Sequence, residues 1–288
     1  MRSIFLVLIL GLTHLLAEVI TLVPYGGYTT YDSDSSKSIK ESGVFGGLYT
    51  NVGTLSYLLE LNYMYMNTVY KEDVDLIDLV QHDITLAYSS YSTNFMYKIG
   101  AHYTETNDLI LGNGIVAILS FGGYNYFGYD KVSYGLDGYY SYYADRINYT
   151  NTNTNMGIGQ LTPYLSYYNV LKLGVANTIS FKLNYQYAGN YSQKEYISYE
   201  LSDTLIYNKI KINLSAYTGE MKSGVKEGGL SVYNSLDLMQ DGISLSLGYY
   251  VTPSFITSIS YNYSFYEEAF LDKPTSTDTF SANLNYRF

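Results

Sequence analysis

Phe280-Ser281-Ala282-Asn283-Leu284-Asn285-Tyr286-Arg287-Phe288 is the stretch on which the fold turns. Successive side chains of an extended strand point to opposite faces. Phe280, Ala282, Leu284, Tyr286 and Phe288 therefore share one face, and Ser281, Asn283, Asn285 and Arg287 share the other. The segment is a ribbon with an oily side and a wet side. The same period of two recurs upstream. Ile243, Leu245, Leu247, Tyr249 and Val251 alternate with Ser244, Ser246, Gly248 and Tyr250. Ile259, Tyr261, Tyr263 and Phe265 oppose Ser258, Ser260, Asn262 and Ser264, and Ile210, Ile212, Leu214 and Ala216 oppose Lys211, Asn213, Ser215 and Tyr217. Helical spacing fits none of these windows.

Between the alternating windows, tight breakers at 51–54, 91–94, 128–131, 169–170, 207–209 and 252–254 alternate with longer polar segments at 32–41, 70–77, 106–112, 145–155 and 220–242. One rim of tight turns and one rim of loops is the mark of an up-and-down meander. The count is fourteen strands: 18–31, 42–51, 54–68, 78–91, 94–106, 112–126, 131–143, 157–168, 172–187, 195–206, 210–219, 242–251, 254–267 and 277–288. Two stretches break the pattern. Gly114 to Phe127 carries a continuous apolar run, and Leu230 to Met239 reads as a possible hairpin inside a loop, so twelve or sixteen strands also fit.

Composition narrows the class. The chain has 288 residues, no cysteine, no tryptophan and 38 tyrosines, and its formal net charge is −10. Missing cysteine excludes a disulfide scaffold, a thiolate metal site and a cysteine-linked lipid anchor. The acidic balance disfavours nucleic acid. Met1-Arg2, the apolar run Ile4 to Leu16 and the small residue Ala17 form an export signal over residues 1–17, too short to span a bilayer as a helix. Its removal takes away Arg2 and no acid, leaving 15 basic against 26 acidic residues, a net charge of −11 for a single domain over 18–288.

A soluble sandwich and a membrane barrel share the alternation. Strands of ten residues or more suit a tilted bilayer crossing better than the soluble average of about 5–6. Tyrosines gather near strand ends, at Tyr63/Tyr65, Tyr139 to Tyr143, Tyr185/Tyr187 and Tyr261/Tyr263, where amphipathic rings meet lipid headgroups. The expectation is an all-β, transmembrane, antiparallel barrel. Leu284→Arg should then cost about 2–4 kcal/mol if that side chain faces mid-bilayer lipid, and Asn283→Arg should be tolerated.

The terminal strand, with Phe280, Leu284, Tyr286 and Phe288 at alternate positions, resembles the C-terminal signature of Gram-negative outer-membrane β-barrels, and the scale of the chain is similar to that of porins. The resemblance implies outer-membrane lipid as surroundings, delivery through the periplasm by chaperones, and recognition by the barrel-assembly machinery. It leaves the oligomeric state open.

If the apolar faces look outward, Glu60, Asp83, Lys98, His102, Asp137, Lys182, Glu200, Lys211 and Arg287 point inward among Ser, Thr, Asn, Gln and Tyr. A barrel of this size leaves free space unless a loop fills it. The leading expectation is a passive channel for small hydrophilic solutes or ions, weakly cation-preferring through acidic mouths. The alternative is a plugged barrel whose charges pair inside and whose loops bind a partner, with 220–242 as the constriction or binding loop. An enzyme is the least favoured class. Past the signal only His82 and His102 remain, and no His–Asp or Ser–His pair is expected on one face near a rim. No metal-ligand spacing is present and no cofactor is implied.

Overall fold

The computed structural model describes residues 19–34, 36–72, 76–107, 112–147, 153–171, 174–189, 193–232, 237–269, 271 and 273–288. The export signal lies outside them. In chain order the strands are β1 (Val19–Tyr31), β2 (Lys40–Gly53), β3 (Tyr57–Tyr70), β4 (Leu79–Tyr91), β5 (Phe95–Thr106), β6 (Asn113–Phe127), β7 (Asp130–Ile147), β8 (Asn153–Val170), β9 (Ala176–Ala188), β10 (Glu195–Tyr207) and β11 (Ile210–Lys222). Two short strands follow, β12 (Val225–Lys226) and β13 (Ser231–Val232), and then β14 (Leu238–Thr252), β15 (Phe255–Glu268) and β16 (Lys273–Arg287).

Every long strand pairs antiparallel with its neighbours, β11 pairs with β14, and β1 closes on β16, giving a closed 14-stranded barrel. Closure runs from Thr21 opposite Arg287 to Tyr31 opposite Thr277. Closing the sheet satisfies the backbone groups an open edge would strand. The count is therefore fourteen, not twelve or sixteen. The largest differences from the sequence expectation are at one rim, where β7 and β8 run to 18 residues each, and at β14, which begins at Leu238 rather than 242.

The register sorts side chains as the alternation demands. Leu201, Leu214 and Leu245 are exposed outward, as are Phe280, Leu284, Tyr286 and Phe288 of β16. So wide an apolar surface exceeds the few hundred Å² that soluble monomers tolerate and matches a hydrocarbon solvent. Outward tyrosines flank it near both rims, with Tyr65, Tyr103, Tyr187 and Tyr263 toward the loops and Tyr207, Tyr249 and Tyr286 toward the tight turns. The Tyr139 to Tyr143 run is divided: Tyr140 and Tyr142 are outward, whereas Tyr139 and Tyr143 are buried inside.

The segment 32–41 reads in sequence as a polar loop, but its Ser38 and Ile39 are buried. Ile39 packs with Tyr70 and Leu79. The Ile39 N–H donates to the Glu268 carboxylate at 3.3 Å, Lys71 Nζ donates to the Asp32 and Ser38 carbonyls, and Lys40 pairs with Asp237. These bonds fold the loop over the long-loop mouth.

Candidate transport lumen

Cross-strand register puts all nine sequence-selected ionisable residues on the inward face of the wall. Most are paired. Lys98 Nζ lies 2.8 Å from Glu60, His102 Nε2 lies 3.2 Å from Asp83, and Lys182 Nζ lies 3.0 Å from Glu200. Asp137, on β7, accepts a hydrogen bond from Tyr139. Lys211 and Arg287 sit at the tight-turn mouth, where Arg287 joins Thr21, Asn51, Leu58, Tyr250 and Asn285 around a cavity of about 620 Å³.

The expectation of no His–Asp pair on one face near a rim missed the His102–Asp83 pair, which shares the inward face of β4 and β5 and is buried there. Asp83 faces Thr104, and Thr85 faces His102, on the adjoining strands β4 and β5. The Thr85 hydroxyl donates to His102 Nδ1 at 2.7 Å. Nε2–H is left to donate to Asp83, which also accepts from Thr104 at 2.7 Å and from Gln81 at 2.8 Å. Both His102 and Asp83 are buried, with 0% and 1% exposure. The network is sealed and ties two strands together, with no surface left for a substrate. His82 points outward instead, with its Nδ1 3.0 Å from the Tyr63 hydroxyl and its ring against Tyr65. Among the described residues no group of three or more His, Asp or Glu is arranged to hold a metal.

The occupant of the lumen comes from 220–242, the segment the sequence names as the constriction or binding loop. The connection from β11 to β14 turns inward. The hairpin anticipated at 230–239 begins five residues earlier: β12 pairs with β13 through Val225–Val232 and Lys226–Ser231, around a short 3-10 turn at Glu227–Gly229. Val225 and Val232 pack on Val116, Ile118 and Tyr139 of the wall. Gly229 adopts φ 93°, and a Cβ there would fall 2.2 Å from Ile118 Cδ1, so both the turn and the close approach require glycine.

Gln160 on β8 clamps this loop. Its Oε1 accepts from the Val225 N–H at 2.9 Å, and its Nε2 donates to the Val225 carbonyl at 2.7 Å. Gln186 donates to Gln160 Oε1 at 3.0 Å and accepts from the Lys222 N–H at 2.9 Å. On the far side Asn62 of β3 donates to the Leu230 carbonyl at 3.3 Å, and the Tyr25 hydroxyl donates to Asn62 at 2.9 Å. Anchored at β8 and at β3, the loop crosses the lumen.

The crossing brings a mixed set of charges together. Lys226 Nζ lies 3.6 Å from the centre of the Tyr217 ring, close enough for a cation–π contact. Burial pushes Lys226 down to about 8, against the opposing pull of Glu200 and Glu227. Glu227 reaches lumen water but is ringed by barrel wall. That enclosure raises its carboxyl above the ordinary range, while Lys182 and Lys226 hold it back. The crossing thus sets Lys182 and Lys226 against Glu200 and Glu227.

The loop covers only part of the wall. Inward side chains beneath it on β4 to β10, such as Thr85, Ser120, Gln160 and Ser198, are buried. Those on β11, β14, β15 and β16, including Ser215, Ser244, Ser246, Ser260 and Ser281, remain partly exposed to the lumen. Five inward aromatic rings each lie over a glycine that is the register partner. Tyr25 covers Gly47, Phe45 covers Gly27, Tyr143 covers Gly114, Tyr164 covers Gly135 and Tyr217 covers Gly242. A Cβ on any of these glycines would come within 2.6 Å of the ring.

No protein-family model matches the chain, and no curated protein matches it. Solved structures do. A CymD monoaromatic hydrocarbon channel superposes with a TM-score of 0.56 at 9% identity, over 96% of this chain and 91% of that one. The NanC porin gives 0.47 at 11% identity, over 92% and 98%. A loop-deletion mutant of OmpT, an outer membrane protein of Vibrio cholerae, gives 0.45 at 10% identity, over 94% and 99%. At such identities the CymD likeness speaks to the fold alone, a closed antiparallel β-barrel.

Proposed function

We propose that this chain is an outer-membrane barrel that lets small hydrophilic solutes diffuse passively past an inward-folded loop. The observation that carries the reading is the one-sided loop: wall groups at its docking face, such as Val116, Ile118, Gln160 and Gln186, are buried, while Ser215, Ser244, Ser246, Ser260 and Ser281 stay partly exposed to lumen water. The apolar outer surface supports lipid as its surroundings. The outward row of Phe280, Leu284, Tyr286 and Phe288 supports engagement of that strand by the barrel-assembly machinery after chaperoned passage through the periplasm. His102, sealed in its network, has no role in turnover in this reading, and no cofactor takes part.

Ion preference is modest. Acids crowd the long-loop end, including Asp32, Asp34, Glu72, Asp78 and Glu105, whereas Lys131, Lys211 and Arg287 occupy the tight-turn mouth. The first favours cations and the second opposes it, and salt screens both. A plugged, partner-binding barrel is the second reading, favoured by the loop anchors on β8 and β3.

Planar-bilayer recording separates the readings. The refolded mature chain should give steady single-channel currents. A variant with residues 223–236 replaced by a short Gly-Ser link should conduct more. A silent full chain beside a conducting variant favours the plugged barrel, and silence from both defeats the channel.

A further inference from the structure

Charge is segregated around the lumen. The inward ionisable groups lie on β3, β4, β5, β7, β9, β10, β11 and the crossing loop. On β14, β15, β16, β1 and β2, five consecutive strands, the inward face carries no charged side chain between Arg287 at one mouth and the Glu268–Lys273 row at the other, apart from Lys40 beside that upper row. Short neutral polar groups fill it in rows. Ser246, Ser260 and Ser281 are successive register partners, with Gly27 and Phe45 continuing the row. Ser244, Asn262 and Thr279 form the next row toward the loops, about 6.8 Å farther along the strand.

We propose that the solutes this lumen favours are uncharged polyhydroxylated molecules, of the sugar and polyol class, travelling along the β14–β2 wall. The inference rests on the channel reading and names its substrate class. A serine hydroxyl both donates and accepts. A wall of such groups can exchange hydrogen bonds, row by row, with a solute bearing hydroxyls. An ion entering the same wall gives up hydration and meets no counter-charge on these five strands, which is costly; Lys226 and Glu227 of the crossing loop, of opposite sign, are the charges that border it. The oppositely charged groups that could help it are already paired on the other side, as Lys98–Glu60 and Lys182–Glu200. The serine row ends at an aromatic face, and the row next to it toward the tight turns, Ser258 and Asn283, runs into Tyr25. Phe45 lies flat over Gly27 and Tyr25 over Gly47, and a flat ring accepts the C–H face of a pyranose while neighbouring hydroxyls meet its O–H edge.

The test uses proteoliposomes holding the full mature chain and three solutes of matched size: glucose, gluconate and glucosamine. Glucose should swell the vesicles about tenfold faster than either charged analogue, a barrier difference of ~1.4 kcal/mol. Ser260→Asp, which places a carboxylate at the centre of the serine rows, should reduce that ratio and favour glucosamine. Glucose added to a planar bilayer should also reduce the single-channel ion current of the unaltered chain, a readout that needs no variant to fold. Equal or faster swelling with a charged analogue, or an ion current indifferent to glucose, overturns the substrate class and leaves the channel standing. No swelling with any solute together with no ion current overturns both.

Discussion

Leu245→Arg tests which solvent the oily face meets. Leu245 faces outward on β14, opposite Leu214 on one side and Tyr261 on the other. It lies four residues from Tyr249, which belongs to the tyrosine row at the tight-turn rim. With a rise of about 3.4 Å per residue and a tilt of ~40°, four residues climb about 10 Å, near the middle of an apolar band ~25 Å tall. An arginine there should cost about 2–4 kcal/mol. Leu284 faces outward too, but it is the register partner of Thr257, itself the partner of Tyr249. It lies two residues from Tyr286 of its own strand, about 5 Å inside the rim tyrosines, and Leu284→Arg should cost less than Leu245→Arg. Register thus lowers the figure that mid-bilayer placement would give. Ser244→Arg, facing the lumen between Ser215 and Asn262, should cost less than Leu245→Arg while altering conductance. Urea titration of each variant in phospholipid vesicles, followed by far-ultraviolet circular dichroism and gel mobility, measures all three. A Leu284→Arg penalty equal to that of Leu245→Arg, or a larger one for Ser244→Arg, would refute the assigned orientation and depth.

Three further outcomes are expected. Between pH 7 and 9 Lys226, held near 8, loses its charge, so the lumen turns more negative and the reversal potential in a salt gradient should move toward cation selectivity; Lys226→Met should abolish the movement. Protonation of Glu227 on acidification acts in the same sense, shifting selectivity toward anions as pH falls. Gly242→Ala drives a Cβ to 2.3 Å from the Tyr217 ring, lifting the ring and its Lys226 contact into the passage, so single-channel conductance should fall while gel mobility of the folded form is kept. Asp83→Leu strips His102, Thr104 and Gln81 of their shared acceptor inside the wall and should destabilise the barrel by about 3–5 kcal/mol in the same urea titration.

The strands were legible because alternation is enforced twice, by an apolar solvent outside and by polar contents inside. Wherever both pressures act, as in Phe280 to Phe288, the sequence alternates cleanly. Where the contents are themselves apolar, the signal fades. Ile115 to Leu119 reads as a continuous apolar run because Val116 and Ile118 face Val225 and Val232 of the crossing loop, while Ile115 and Leu119 face outward. That irregularity is the trace of the loop on the wall it docks against. Pairing was less legible. Glu60 and Lys98 are 38 positions apart in sequence and meet across an intervening strand, a contact set by barrel curvature and not by any local spacing. The clamp on Val225 escaped notice for a similar reason, since Gln160 is one inward amide among many until the loop arrives.

The crossing loop also fixes an order of events. Its docking points on β3, β6 and β8 face one another only after the sheet has curled. Docking therefore belongs to the last stage of folding, after the main barrier. Contacts made that late slow unfolding without hastening folding. Loosening them, for instance at Gln160, should shorten the lifetime of the finished barrel and leave its rate of insertion nearly untouched.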